Sequence, residues 1–207
     1  MSDFAQQERR ALCDLFSEVG PDAPTLCEGW RTADLAAHLV VRERRPDAAG
    51  GILFPPLAGY LDRVQRSVRD GRPWRDLVAR VQAGPPVPLR WVDEPFNTAE
   101  LFVHHEDVRR AAAGWEPRTL PPGLERALWS RVRFLARPAG RKAGVGLVVE
   151  APGFGQVSAR HGPPSATLSG PPGELVLYLF GRKDVARVGL TGDPSAIEKV
   201  AGADVGL

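Results

Sequence analysis

Cysteine and long apolar stretches are both scarce in this chain. Its 207 residues include two cysteines, Cys13 and Cys27, which excludes a disulfide-rich scaffold and a zinc site made of four thiolates. No apolar run reaches the roughly 18 residues that a membrane span needs. The opening residues, MSDFAQQERR, contain no apolar signal-peptide segment. We therefore predict a cytoplasmic protein with no membrane partner.

An excess of charge of one sign is also absent. The net charge is +2, and a nucleic-acid-binding protein needs its basic residues gathered on one face. The nearest such group, Arg42, Arg44 and Arg45, is typical of a solvated helix end, so we expect no nucleic-acid partner. Hydrophobic residues make up 43% of the chain, enough for a genuine core, and we expect a monomer or a homodimer.

Helical periodicity dominates the first part of the chain. Apolar residues recur there at helical spacing, with Thr32 and Asn97 placed to cap two of the helices and Gly114 placed to stop the second of these. The predicted helices cover 3–19, 32–45, 57–70, 74–83, the stretch that follows Asn97, and about 122–137.

The pattern changes after about residue 143. Short strand-like segments with glycine-rich turns appear there, together with two further helical patterns, the last of them capped by Asp193. The sequence therefore predicts a mainly α protein, in which a helical bundle over residues 1–140 is followed by a small α/β domain over residues 141–207.

One predicted helix carries a dense set of ligating side chains. The stretch NTAELFVHHEDVRRA, residues 97–111, contains two histidines, two glutamates and an aspartate. At about 100° per residue, Glu100, His104 and Asp107 share one face, whereas His105 lies well away from it. Apolar residues flank this face, so we expect it to be partly buried. A buried carboxylate needs a partner, which a metal ion or an arginine can provide.

A metal ion would need a ligand from elsewhere in the chain. A catalytic zinc takes three protein ligands and keeps a fourth position open, and two histidines with one glutamate form such a set. Beyond the predicted helix only His38 and His161 remain. His38 lies within a helix among apolar residues that should face a core, whereas His161 lies in a predicted turn. His38 is therefore the better candidate.

Simpler interpretations remain open on spacing alone. Glu100 can complete a capping box with Asn97, and a histidine in an apolar helix is often a satisfied core residue. Surface ion pairs with nearby arginines would account for Glu43, Glu106 and Asp107.

Two motifs carry a resemblance to a known family. The segments TLCEGWRTADLAAHLVVRERRP and NTAELFVHHEDVRRAAAGWEPR resemble the DinB-like, maleylpyruvate-isomerase-type superfamily, above all an actinobacterial branch of metal-binding proteins. The tail SGPPGELVLYLFGRKD…GLTGD is similar to the C-terminal domain of the mycothiol-dependent isomerase. The resemblance covers most of the chain and is weakest over residues 46–95.

The resemblance implies a fold and a ligand set. The family fold is a four-helix bundle that holds one divalent metal ion, usually zinc, through core-facing side chains. Transferred by motif, these are His38, Glu100 and His104. Asp107 would then either support a metal-bound histidine or contact the substrate.

The resemblance also implies a reaction class. Family members of known activity use a low-molecular-weight thiol, mycothiol, as cosubstrate. A free thiol is mostly protonated at neutral pH, and zinc coordination deprotonates it, so no nucleophile from the protein is needed. We therefore expect a thiol-dependent transferase or isomerase that acts on a small electrophile. The alternatives are a zinc-dependent hydrolase with Asp107 as base and a non-catalytic metal-bound sensor or small-molecule binding module.

Two further residues have roles that the sequence leaves open. Arg182 lies at the end of a predicted helix, where it can bind a carboxylate of the substrate or thiol cosubstrate, or else satisfy helix-end carbonyls. Cys27 precedes the His38 helix, and we expect a small buried apolar residue there, with redox and metal roles as the alternatives.

Overall fold

The computed structural model describes residues 3–49, 58–86 and 93–206. The chain divides into two compact units, Met1–Glu116 and Pro117–Leu207. The described part of the first unit is helical, with the bounds α1 Phe4–Val19, α2 Thr32–Arg44, α3 Pro46–Ala49, α4 Ala58–Asp70, α5 Trp74–Ala83 and α6 Asp93–Arg109.

The helices of the first unit bury one apolar core. Helix α1 packs against α5 and α6, and α2 packs against α4 and α5. On α1, Leu12 and Phe16 lie one turn apart and are fully buried, because residues four apart share a helix face. The core also takes large side chains from the other helices, among them Leu35, Leu39, Leu77 and Leu101.

A buried ion pair ties three of these helices together. Arg9 of α1 donates hydrogen bonds to both carboxylate oxygens of Glu43 on α2, at 2.9 and 2.7 Å, and to the Val81 carbonyl of α5 at 3.1 Å. The prediction that Glu43 forms a surface pair with neighbouring arginines is therefore wrong. Its partner comes from 34 residues away, because a carboxylate inside a core requires a cation that reaches it there.

The second unit consists of a four-stranded sheet and three helices. Strand β1 pairs antiparallel with β2 and parallel with β3, and β3 pairs antiparallel with β4, which gives the order β2-β1-β3-β4. The elements are α7 Pro122–Ala143, β1 Gly146–Ala151, β2 Gly155–Arg160, β3 Ser165–Ser169, α8 Pro172–Leu179, β4 Gly189–Gly192 and α9 Pro194–Gly202. The prediction of a mainly α protein with a small α/β unit near the C-terminus is confirmed.

Helix α7 belongs wholly to the second unit, so the two units divide before it begins. The sequence predicts a helix that ends near residue 137 and a domain boundary at 140. In the structure α7 continues through Pro138 and packs against α8, β1 and β2. At Gly140 an added Cβ would lie 3.1 Å from the Ala159 backbone of β2. This close packing against the sheet stabilises the last turns of α7 and places the whole helix in the second unit.

No helix within the described ranges combines the length and the apolar character needed to cross a membrane.

Candidate metal centre

The predicted face of Glu100, His104 and Asp107 lies on α6. This helix begins at Asp93 and ends at Arg109, so Asn97 lies inside it, and the prediction of a cap at Asn97 and a stop at Gly114 is wrong. Asp107 is completely buried and His104 is 6% exposed, whereas the Glu100 side chain is 21% exposed. The face therefore runs from a partly open end at Glu100 to a closed end at Asp107.

His38 of α2 meets this face. The ring centroids of His38 and His104 are 5.5 Å apart, and ligand atoms of His38, Glu100 and His104 all lie within 4.8 Å of one another. The structure thus brings together the three residues selected from the sequence. They form a group that can hold a metal ion.

The spacing and burial of the donor atoms fit such an ion. Glu100 Oε1 and His104 Nε2 are 3.5 Å apart, and two donors bound tetrahedrally at about 2.1 Å would be about 3.4 Å apart. Within the described part of the chain, His104 Nε2 is buried and has no hydrogen-bond partner. Because a buried polar atom is normally paired, this nitrogen is available for a ligand bond.

Asp107 determines which nitrogen of His104 carries the proton. Asp107 Oδ2 lies 2.9 Å from His104 Nδ1 and also accepts a hydrogen bond from Cys27 Sγ at 3.3 Å. An ionised carboxylate only accepts hydrogen bonds, so Nδ1 must donate, and Nε2 is left as the lone-pair donor for a metal. The buried position and these two contacts make Asp107 a positioning group for His104 and a poor general base.

Cys27 differs from the buried apolar residue expected from the sequence, because it is partly exposed and makes a polar contact. Its side chain is half-buried, and its thiol points at Asp107. Cys27, His104 and Asp107 are also close enough to form a second metal-binding group. That group would use His104 Nδ1, which already faces Asp107. The group of His38, Glu100 and His104 uses Nε2, which no described residue contacts through a hydrogen bond, so it is the better candidate.

His38 is positioned by residues from the loop before α2 and from α4. Gln65 Nε2 lies 2.9 Å from His38 Nδ1, and the Trp30 ring lies 5.2 Å from the imidazole, centroid to centroid. Both contacting residues also line a cavity of about 350 Å³, together with Asp34, Ala37, Asp62, Arg66 and Arg69. A ligand-sized space therefore adjoins His38.

Arg42 is a site residue that the sequence reading missed. Its Nε lies 3.4 Å from Glu100 Oε1, and its guanidinium also donates to the side-chain oxygen of Asn97. The interpretation of this arginine as part of a solvated helix end is therefore wrong. Arg42 follows His38 by four residues on α2, the spacing that places two side chains on one helix face. That spacing would have identified it.

The charges of the site favour a cation at His104. Burial alone would raise the pKa of Glu100, but the adjacent His104 imidazole and the positive charge of Arg42 lower it to about 2. Burial alone would lower the pKa of His104, but its hydrogen bonds, led by the one to Asp107, raise the pKa well above its usual value. The carboxylates of Glu100 and Asp107 thus favour a positive charge on His104. A metal cation can supply that charge in place of a proton.

His105 and Glu106 of α6 are also buried, and they lie away from this face. His105 Nδ1 lies 2.9 Å from Glu8 Oε2 on α1. Glu106 accepts hydrogen bonds from Arg109 at 3.0 Å and from Arg110 at 2.5 Å. The predicted separation of His105 from the ligand face is confirmed. Glu106 thus pairs with nearby arginines, as one interpretation of the sequence held, but the surface location is wrong, because the side chains of Glu106 and Asp107 are fully buried.

The two remaining candidates lie in the second unit. Arg182 Nη1 donates to the Phe180 carbonyl at 2.7 Å, which is the helix-end contact considered as the alternative to substrate binding. His161 is exposed and lies 3.3 Å from Ser158 Oγ.

Comparisons with protein-family models, with characterised proteins and with solved structures find no match to this chain.

Proposed function

We propose that this protein binds one divalent metal ion, with zinc preferred, through His38, Glu100 and His104. The observation that carries the proposal is the buried Nε2 of His104, which has no hydrogen-bond partner among the described residues and lies 3.5 Å from a carboxylate oxygen. Two imidazoles and one carboxylate suit zinc and leave a fourth position open. When bound, zinc would supply Lewis-acid chemistry, which lowers the pKa of a thiol or water at that position.

The side chains around the site have separate tasks in this proposal. Asp107 keeps the proton of His104 on Nδ1, as its 2.9 Å contact requires. Arg42 lies 3.4 Å from Glu100. Once Glu100 shares its charge with a metal, the guanidinium is available to an anionic group of a substrate. The chain therefore provides both a metal ligand set and a positively charged neighbour.

The reaction that we propose is thiol transfer to, or thiol-dependent isomerisation of, a small electrophile, with mycothiol as the cosubstrate. Its support is the family resemblance of the two motifs, together with the ligand positions. His38 on α2 and His104 on α6 come from separate helices and face each other, as ligands of a DinB-like four-helix bundle would. Trp30 and Gln65, which contact His38, line a cavity of about 350 Å³, which has room for a small organic molecule.

A hydrolase is the weaker alternative on these observations. The sequence offers Asp107 as the base, but its buried Oδ2 is occupied by His104 and Cys27. A non-catalytic binding module shares the same metal site and differs only in the absence of turnover.

The proposal is tested first by metal content. The purified protein, reconstituted with zinc and freed of excess ion, should hold about one zinc per chain by elemental analysis. His104→Ala and His38→Ala should each abolish stoichiometric zinc. The matched control is His161→Ala, which removes an exposed histidine and should retain it. Equal zinc in His104→Ala and His161→Ala would contradict the proposed site.

The reaction is tested separately. The zinc protein is incubated with mycothiol, or with a simpler thiol, and a panel of small electrophiles, and loss of the thiol is followed. Turnover that requires both metal and thiol supports thiol transfer. Metal-dependent turnover without thiol would indicate hydrolysis, and binding without any turnover would indicate a binding module.

A further inference from the structure

The two candidate histidine ligands have different partners at Nδ1. His104 Nδ1 faces the carboxylate of Asp107, and His38 Nδ1 faces the amide of Gln65. A carboxylate only accepts hydrogen bonds, whereas a glutamine amide donates through Nε2 and accepts through Oε1. The first partner therefore permits one arrangement of the imidazole proton, and the second permits two.

The structure shows the arrangement that is unsuited to a metal at His38 Nε2. Gln65 Nε2 lies 2.9 Å from His38 Nδ1, and an amide nitrogen can only donate. Nδ1 must then be the acceptor, which places the proton of the neutral ring on Nε2. A metal ligand requires the opposite: a bare Nε2 and a proton on Nδ1 that is donated to an acceptor. Gln65 supplies that acceptor if its amide turns through 180°, which brings Oε1 to Nδ1.

The position of Gln65 gives the amide room to turn. The side chain lies on α4, is half-buried, and lines the cavity beside His38. Rotation about its last side-chain bond exchanges two groups of almost equal size, so no packing has to change. The amide group that turns away from His38 can then meet solvent in the cavity.

We infer that Gln65 is the positioning residue of His38 and that its amide reverses when the metal binds. In this view the His104 half of the site is permanently arranged for a metal, and the His38 half is rearranged by it. The inference rests on the metal site of the proposed function. It adds the residue that selects the His38 tautomer and a conformational change that accompanies loading.

Substitutions at position 65 separate hydrogen-bond acceptance from packing. Gln65→Glu keeps the shape and can only accept, so it should bind zinc at least as tightly as the original protein. Gln65→Leu keeps a similar volume without any acceptor and should weaken zinc binding about 10- to 100-fold. Gln82→Leu is the control, because Gln82 is an exposed glutamine on α5, and it should leave affinity unchanged. Affinity is measured by competition with a chromophoric chelator, after circular dichroism has verified that each variant is folded.

The tautomer is read directly by nitrogen NMR of the histidine rings. The original protein stripped of metal should show His38 with its proton on Nε2, and the zinc-loaded protein should show it on Nδ1. In Gln65→Glu the proton should be on Nδ1 before and after loading. An unchanged His38 tautomer in the original protein, or zinc affinities of Gln65→Leu and Gln65→Glu that match, would overturn the inference while leaving the metal site intact. Absence of zinc binding in the original protein would overturn both.

Discussion

Asp107→Asn is the most informative single change at the proposed metal site. It preserves the shape of a fully buried side chain and removes the negative charge that lies 2.9 Å from His104 Nδ1. The Asp107 oxygen would be about 6–7 Å from a metal on the opposite ring nitrogen, since the imidazole and a ligand bond of about 2.1 Å lie between them.

The expected loss follows from that distance. Coulomb's law for a doubly charged ion and a carboxylate about 6.5 Å apart gives about 1 kcal/mol in water and about 5 kcal/mol at an effective dielectric constant of 20. Substitutions in partners of zinc-bound histidines cost about 10- to 100-fold in affinity, or about 1.4 to 2.8 kcal/mol, which lies between these limits. We therefore expect Asp107→Asn to weaken zinc binding about 10- to 100-fold at pH 8.

The deficit should shrink at lower pH. Hydrogen bonding to Asp107 raises the pKa of His104, and below that pKa each pH unit lowers the zinc affinity of the original protein about tenfold, because a proton must leave first. In Asp107→Asn the pKa of His104 is lower, so proton competition begins at a lower pH. The affinity ratio of the two proteins should therefore decrease as the pH falls from 8.

The assay is competition with a chromophoric chelator at several pH values. Asp14→Asn, an exposed aspartate on α1, serves as the control and should match the original protein throughout. Equal zinc affinity of Asp107→Asn and the original protein at pH 8 would refute the assignment of Asp107 as the partner that orients His104. If the zinc-affinity deficit of Asp107→Asn grows as the pH falls, the explanation by proton competition at His104 is refuted.

Three further outcomes are expected. His105→Ala should keep one zinc per chain but lose about 1–3 kcal/mol of stability in urea unfolding, because the buried carboxylate of Glu8 loses the contact with His105; loss of zinc would place His105 in the site. Burial raises the pKa of Cys13 to about 12, so about one part in 10⁴ is thiolate at pH 8. Cys13 should therefore resist a thiol reagent until the protein is unfolded, and rapid labelling in a Cys27→Ser background would contradict this. Mycothiol binding to the zinc protein near pH 7 should release about one proton, by calorimetry in buffers of different ionisation enthalpy. The cobalt protein should show a thiolate charge-transfer band, and absence of both signals would count against thiol transfer.

The sequence by itself determined the face of α6 and the choice of His38. Helical periodicity is a local property, so a rotation of about 100° per residue was enough to put Glu100, His104 and Asp107 together and to separate His105 from them. The main helices follow from the same periodicity, and a histidine surrounded by apolar residues on α2 can be expected to face the interior. These inferences require no knowledge of what the helices pack against.

Tertiary structure alone decided the long-range partners of the charged side chains and how deeply those side chains are buried. The partners of Glu43 and His38 come from α1 and α4, 34 and 27 residues away, and no local pattern identifies them. Helical spacing identified the pairing of Glu106 with nearby arginines but not its burial, because burial depends on the neighbouring helices. Packing against the sheet likewise carries α7 past Pro138, where local propensity predicts an end. Periodicity decides which side chains share a face, but only the packed neighbours decide whether that face meets water, a counter-charge or a metal.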